Sequence, residues 1–158
     1  MAAMIVRLAR EEDTPGFMEL AAQVKRWFGP MAGEPGFHSV LARKIRQGSA
    51  LVASGDDGTS PLGGLLFSAK PPEYHVRWLV VSARVRGRGV GRALMADAVR
   101  RFVTAPGTLE VVTFGAGHPG ATESGARRFY ERLGFIPGED ALPGPEGGSR
   151  QVYRKAVT

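Results

Sequence analysis

Cysteine is absent from the chain. Disulfides, thiolate-bound metals and a cysteine nucleophile are thereby excluded, and nothing points to an oxidising compartment. Long apolar runs are missing too, since no stretch approaches the length that spans a bilayer. The opening segment, MAAMIVRLAREED, turns charged too soon for the apolar centre of a signal peptide, so a soluble cytoplasmic protein is expected. Repeats and low-complexity linkers are lacking, and the chain reads as one domain over residues 1–158. Lysine is scarce: Lys25, Lys44, Lys70 and Lys155 are the only ones among 21 lysines and arginines together.

What is present is enough apolar material for a real core, 43% hydrophobic residues over 158 positions, and a net charge of +6 with a pI near 10.3. Nucleic acid, an acidic membrane surface and a phosphorylated small molecule all suit that balance. An arginine bias spread along the chain needs no explanation beyond the base composition of a genome. Clustering does need one, and SARVRGRGVGRALM, Ser82 to Met95, packs arginines and glycines side by side.

The order of elements sets the context of that cluster. Met4 to Ala9 reads as an opening strand, and a helix begins near Thr14-Pro15 and stops at Gly29-Pro30. A second helical stretch covers Phe37 to Gln47. The apolar runs Leu51 to Ala53 and Leu62 to Phe67, separated by the turn signals Asp57-Gly58 and Ser60-Pro61, predict an antiparallel hairpin. Tyr74 to Ala83 is a longer strand that leads into the glycines, after which Val90, Leu94, Ala98 and Phe102 form one stripe of a helix. Thr108 to Phe114 is a further strand, GAGHPGAT a loop, and Ala126, Phe129, Tyr130 and Leu133 mark a helix that Gly134 ends. GGSRQVYRKAV closes as a strand. The whole is a mixed α/β sheet.

A strand that feeds glycine-rich backbone into a helix N-terminus offers unpaired amides and a favourable dipole to an anion. Rim arginines add bidentate donors. The nucleotide-hydrolysing P-loop is excluded, because Gly91 is followed by Arg92-Ala93 rather than lysine and a hydroxyl residue. The dinucleotide fingerprint fails as well, with Arg92 where its third glycine would stand. By itself such a turn also suits a plain strand-to-helix connection with solvated charges.

The pattern R-x-x-G-x-G, carried by Arg86, Gly89 and Gly91, resembles the acetyl-CoA loop of the GCN5-related N-acetyltransferase (GNAT) superfamily. ARRFYERLGF resembles the family's later motif, A-x-x-F-Y-x-x-x-G-F, on Ala126, Phe129, Tyr130, Gly134 and Phe135. The resemblance implies a single domain with a central sheet of about six to seven strands, about four helices and a splay between the fourth and fifth strands. It implies acetyl-CoA as co-substrate and no metal. Arg86, Gly87, Arg88, Gly89, Val90, Gly91 and Arg92 would hold the pyrophosphate, backbone amides near Val80 and Val81 the thioester and pantetheine, and Tyr130 would protonate the CoA sulfur. The chain departs from the family pattern at Ala83, where many members have proline. A frequent asparagine is also missing before the tyrosine helix, which leaves one side of the pantetheine contact open.

An aliphatic ammonium with a pKa of about 10.4 needs a proton acceptor at neutral pH. Glu73 and His118 are the first candidates, Glu110 and Glu123 further ones, and His75 alternates with Arg77 on a strand that could face the same cleft. Direct transfer to a primary amine is expected, since no cysteine can carry the acyl group. A non-catalytic CoA-binding or regulatory module is the alternative. Nucleic-acid binding lacks interleaved aromatics, and no membrane association is expected. A homodimer is compatible with the family. The acceptor would be met by the first two helices, Trp27, Phe28 and Met31, and the segment PGEDALPGPEGGSR, none of which carries a recognisable code.

Overall fold

Seven strands and five α-helices occupy the described residues, 4–24, 35–55, 60–143 and 148–158, of the computed structural model. In chain order they are β1 (Ile5–Leu8), α1 (Thr14–Gln23), α2 (Pro35–Arg46), β2 (Ala50–Ser54), β3 (Pro61–Lys70), β4 (Glu73–Val81), α3 (Val90–Phe102), β5 (Gly107–Phe114), α4 (Pro119–Ser124), α5 (Ala126–Arg132), β6 (Ile136–Ala141) and β7 (Arg150–Val157). Short 3-10 turns lie at Glu11–Asp13 and Ala83–Val85. The expected stop of α1 at Gly29-Pro30, the turn at Asp57-Gly58, and Trp27, Phe28 and Met31 lie outside the described residues.

The strands form one sheet in the order β1-β2-β3-β4-β5-β7-β6, antiparallel throughout except where β4 meets β5. This is the mixed α/β architecture expected from the sequence. Alternating side chains supply two cores, one on each face of the sheet. Leu65, Phe67, Tyr74, Val76, Leu109 and Val111 pack beneath the α3 stripe of Val90, Leu94, Met95 and Ala98. On the opposite face Phe17 of α1 and Leu41 of α2 press on Ala50, Val52 and Leu66. Burial of each of these valine, leucine, methionine and phenylalanine side chains contributes roughly 1.5–3 kcal/mol of transfer free energy.

Two elements differ from the reading of the sequence. The stretch GAGHPGAT is not wholly loop: Pro119 occupies the first turn of α4, and His118 caps it by accepting the Gly120 N–H on Nδ1 at 2.8 Å. The segment IPGEDA forms β6, an edge strand whose proline and glycine are tolerated because only β7 pairs with it.

One irregularity positions everything that follows. Leu66 pairs with Trp78 and Phe67 with Val76, so Arg77 is an extra residue on β4, a β-bulge. From there the strands part: β4 and β5 pair only over Glu73–Val76 and Thr108–Val111.

Candidate functional site

At the end of β4 the chain is anchored before it turns. Ser82 N–H donates to Leu62 O at 2.8 Å, Gln23 of α1 accepts Ala83 N–H on Oε1 at 2.9 Å, and Val85 is buried in the α3-side core. Gly87 and Gly89 then take positive φ of 79° and 81°, the left-handed region that side chains resist, and Gly89 is the N-cap of α3. The first backbone bond into the helix is Ala93 N–H to Gly89 O. The N–H groups of Val90, Gly91 and Arg92 consequently have no intrahelical acceptor. A Cβ at Gly87 or Gly89 would meet nothing within 4 Å, so the space before these amides is open. With Arg88 and Arg92 exposed beside it, the turn fits an anion such as a pyrophosphate. Arg86 is half-buried and is not without a partner.

The cradle opens beside the parted strands. Because Ser82 N–H is bonded to Leu62 O, the antiparallel alternation turns the N–H of Val80 towards β3 and those of Leu79 and Val81 to the edge that β5 has left. On the α1 face, Val80 and Phe114 pack with Leu20, Val24 and Ala121. Among the described residues β5 takes no bond from these donors, so the free edge of β4 is a strand edge with an apolar floor.

Gly91 joins this end of α3 to α5. A Cβ there would stand 3.0 Å from the Phe129 ring, so the glycine admits Phe129. The next residue, Tyr130, is 6% exposed and packs edge-on against Phe129 and Phe135, with Tyr153 beyond. Burial pushes its phenol well above the ordinary tyrosine value. Among the described residues no hydrogen bond reaches its hydroxyl. Gly134 ends this helix at φ 96°, with Phe135 N–H returning to Tyr130 O.

The titratable residues separate by place. Glu73 is exposed at the first rung of β4, about 10 Å along the strand from where β4 and β5 part. His118 is buried at the α4 cap, its ring 4.6 Å from that of Phe114. Glu123's side chain lies outside the described residues. His75 and Glu110 pair across β4 and β5, one rung before the opening, with Nδ1 3.4 Å from Oε1. Arg154 donates to Glu110 Oε2 at 3.0 Å and makes two 2.6 Å bonds to Glu139. A pair made by residues so far apart in sequence has no local signature, and only the strand register reveals it. Among the described residues no group of three acidic or histidine side chains could hold a metal ion, and no helix is long and apolar enough to cross a membrane.

Solved structures share this architecture. Ard1 from Thermoplasma volcanium aligns with a TM-score of 0.76 at 18% identity, over 99% of each chain. The PaiA N-acetyltransferase from Thermoplasma acidophilum, solved in complex with coenzyme A, gives 0.72 at 15% identity over 98% of this chain and 99% of that one. The ribosomal-protein-S18-alanine N-acetyltransferase from Escherichia coli gives 0.68 at 15%, over 99% and 95%. Identities this low speak to the fold alone. No curated protein matches the chain. The family model described as acetyltransferase (GNAT) domain matches residues 46–137, more than half of the chain, and with the glycine cradle and the splayed sheet it shows that the protein belongs to the GNAT acetyltransferase family.

Proposed function

We propose that the protein transfers an acyl group, chiefly acetyl, from its CoA thioester directly to a primary amine. The observation that carries this reading is the juxtaposition of an anion cradle at the start of α3 with a β4 edge that loses its β5 partner after four rungs. CoA supplies the activated acyl thioester. The amides of Val90 to Arg92, with Arg86, Arg88 and Arg92 around them, are suited to its pyrophosphate. The open-edge N–H groups of Leu79 and Val81 are suited to the pantetheine amides and the thioester carbonyl, as strand addition would use them. Tyr130 holds its proton tightly in its apolar surroundings and is the donor for the departing sulfur.

For the proton of the acceptor ammonium, geometry favours His75 over Glu73 and His118. Glu110 faces His75 Nδ1, which orients the ring with Nδ1–H towards the carboxylate and leaves Nε2 as acceptor. Arg154 keeps Glu110 from rotating away, so Glu110 and Arg154 act as positioning residues. His118 Nδ1 is already taken by the Gly120 amide. Glu73 stands too far from the opening to reach an amine there without a water relay.

Calorimetric titration with acetyl-CoA, CoA and a short DNA duplex, followed by thiol-release assays on a panel of amines, tests the reading. Saturable one-site binding of acetyl-CoA with amine-dependent thiol release is expected. Binding without turnover would make the protein a non-catalytic CoA-binding module, and salt-sensitive DNA binding in place of acetyl-CoA binding would overturn the donor site.

A further inference from the structure

A cleft of about 420 Å³ lies on the α2 face of the sheet, lined by Lys44, Gln47, Ser49, Ser68, Ala69, Lys70, His75 and Arg77. That volume lies within the range of small-molecule sites. Three of its lining residues, Lys44, Lys70 and Arg77, carry basic side chains and none is a carboxylate. Lys44, at the end of α2, is buried, and its Nζ donates to Ser68 Oγ at 2.6 Å. Arg77 Nε donates to the same oxygen at 3.2 Å, which leaves the Ser68 O–H free to point into the cleft as a donor. Among the described residues no acidic group pairs with Lys44, Lys70 or Arg77. Glu73 sits on the rung opposite Lys70 at the outer end, and Glu110 is engaged by His75 and Arg154.

Burying a lysine costs free energy unless a counter-charge compensates it. Here burial, and after it the neighbouring cations Arg43 and Arg77, hold the Lys44 ammonium below the ordinary lysine value. A binding site whose function is to receive an anion has this arrangement before the anion arrives. The cleft also contains His75, the proton acceptor of the proposed reaction, two residues from Arg77 and hence about 6–7 Å along the strand. From this juxtaposition we infer that the acceptor is a small zwitterion, an amine carrying a carboxylate or phosphate on a short spacer. Its anionic end is held by Lys44, Arg77 and Ser68 while its amine lies at His75. The inference rests on the acyl-transfer reading for the direction in which the amine points. The anion subsite itself rests on the cleft alone.

The test uses matched pairs that differ by one anionic group: O-phosphoethanolamine against ethanolamine for the phosphate arm, and β-alanine against its amide for the carboxylate arm. Binding is measured by calorimetry with the cradle saturated by CoA, and turnover by thiol release from acetyl-CoA. One charged member is expected to bind at least about tenfold more tightly than its neutral partner, and the arm in which this occurs identifies the anion. Arg77→Glu, at an exposed position, and Lys44→Met should each remove that preference. In turnover they should raise KM for the charged amine by about tenfold with kcat little changed. Equal binding of charged and neutral members, or a preference that survives Arg77→Glu, overturns the inference. If CoA does not bind, the acyl-transfer reading falls. The same titrations without CoA then still decide the subsite by their dependence on Arg77.

Discussion

Gly89 serves the backbone and the ligand at once, and substitutions can separate the two. Its φ of 81° lies in the left-handed region, and a Cβ there would meet no atom within 4 Å. Gly89→Ala should therefore cost only the conformational term, about 1 kcal/mol. In a chain of 158 residues that lowers the melting temperature by roughly 2–4 °C. Gly89→Asn should recover about half of this, because asparagine tolerates the same region. Gly89→Glu should melt no lower than the alanine variant, since a carboxylate beside the start of α3 faces the positive end of its dipole. Its acetyl-CoA affinity should nevertheless fall beyond calorimetric detection, because bulk and negative charge occupy the space before the amides. Differential scanning calorimetry and acetyl-CoA titration read the two effects on the same samples. An unchanged melting temperature in Gly89→Ala would refute the conformational argument, and retained affinity in Gly89→Glu would refute the cradle.

Tyr130→Phe should lower kcat by about 10² or more while leaving acetyl-CoA affinity within a factor of two. Burial raises the phenol above its ordinary value, so wild-type turnover should not decline through this group up to about pH 10; unchanged kcat in the variant would remove Tyr130 from the chemistry. His75→Gln should reduce kcat/KM by about 10² at pH 7, with the deficit shrinking towards pH 10 as the acceptor amine loses its own proton. A deficit independent of pH would mean that His75 is structural. Acid stability is the fourth expectation. Burial pushes the Asp13 carboxyl up, but hydrogen bonds from Arg7 and the Arg10 N–H more than offset it, and Arg154 holds Glu139 down at about 2. Both carboxyls thus titrate below their unfolded values, so the stability they add is present above about pH 4 and is lost as the pH falls towards their folded values. Melting curves between pH 6 and 3 should show this loss, and Arg7→Gln should reduce its size.

The parts of the fold written in local chemistry were legible before any coordinates. The stripe of Val90, Leu94 and Ala98 and the helix stop at Gly134 follow from periodicity and from a conformation that glycine adopts cheaply. The strands β3 and β4 follow from apolar runs between turn signals. β6 was not legible, because IPGEDA contains proline and glycine and buries none of its residues; β7 alone recruits it. α4 is six residues long and owes its start to a histidine cap that composition does not announce. At the site, the glycine turn was visible because one contiguous segment builds it. The pairing of His75 with Glu110 and the meeting of Lys44 with Arg77 depend on register and on where α2 ends, which no short window contains.

The bulge at Arg77 alters how densely β4 can arm one side of the sheet. An uninterrupted strand can offer one face only every second residue. With the extra residue, His75 and Arg77 line the cleft and Trp78 packs on Phe17 and Phe37 of the same face, while Val76 alone among the four turns to the α3 core. Three side chains on one face within four consecutive positions is a helix-like density achieved on a sheet. Deleting Arg77 would restore strict alternation with Trp78 still opposite Leu66 and Val76 opposite Phe67, so the residue is an insertion that adds a cation to this face without moving its neighbours to the other.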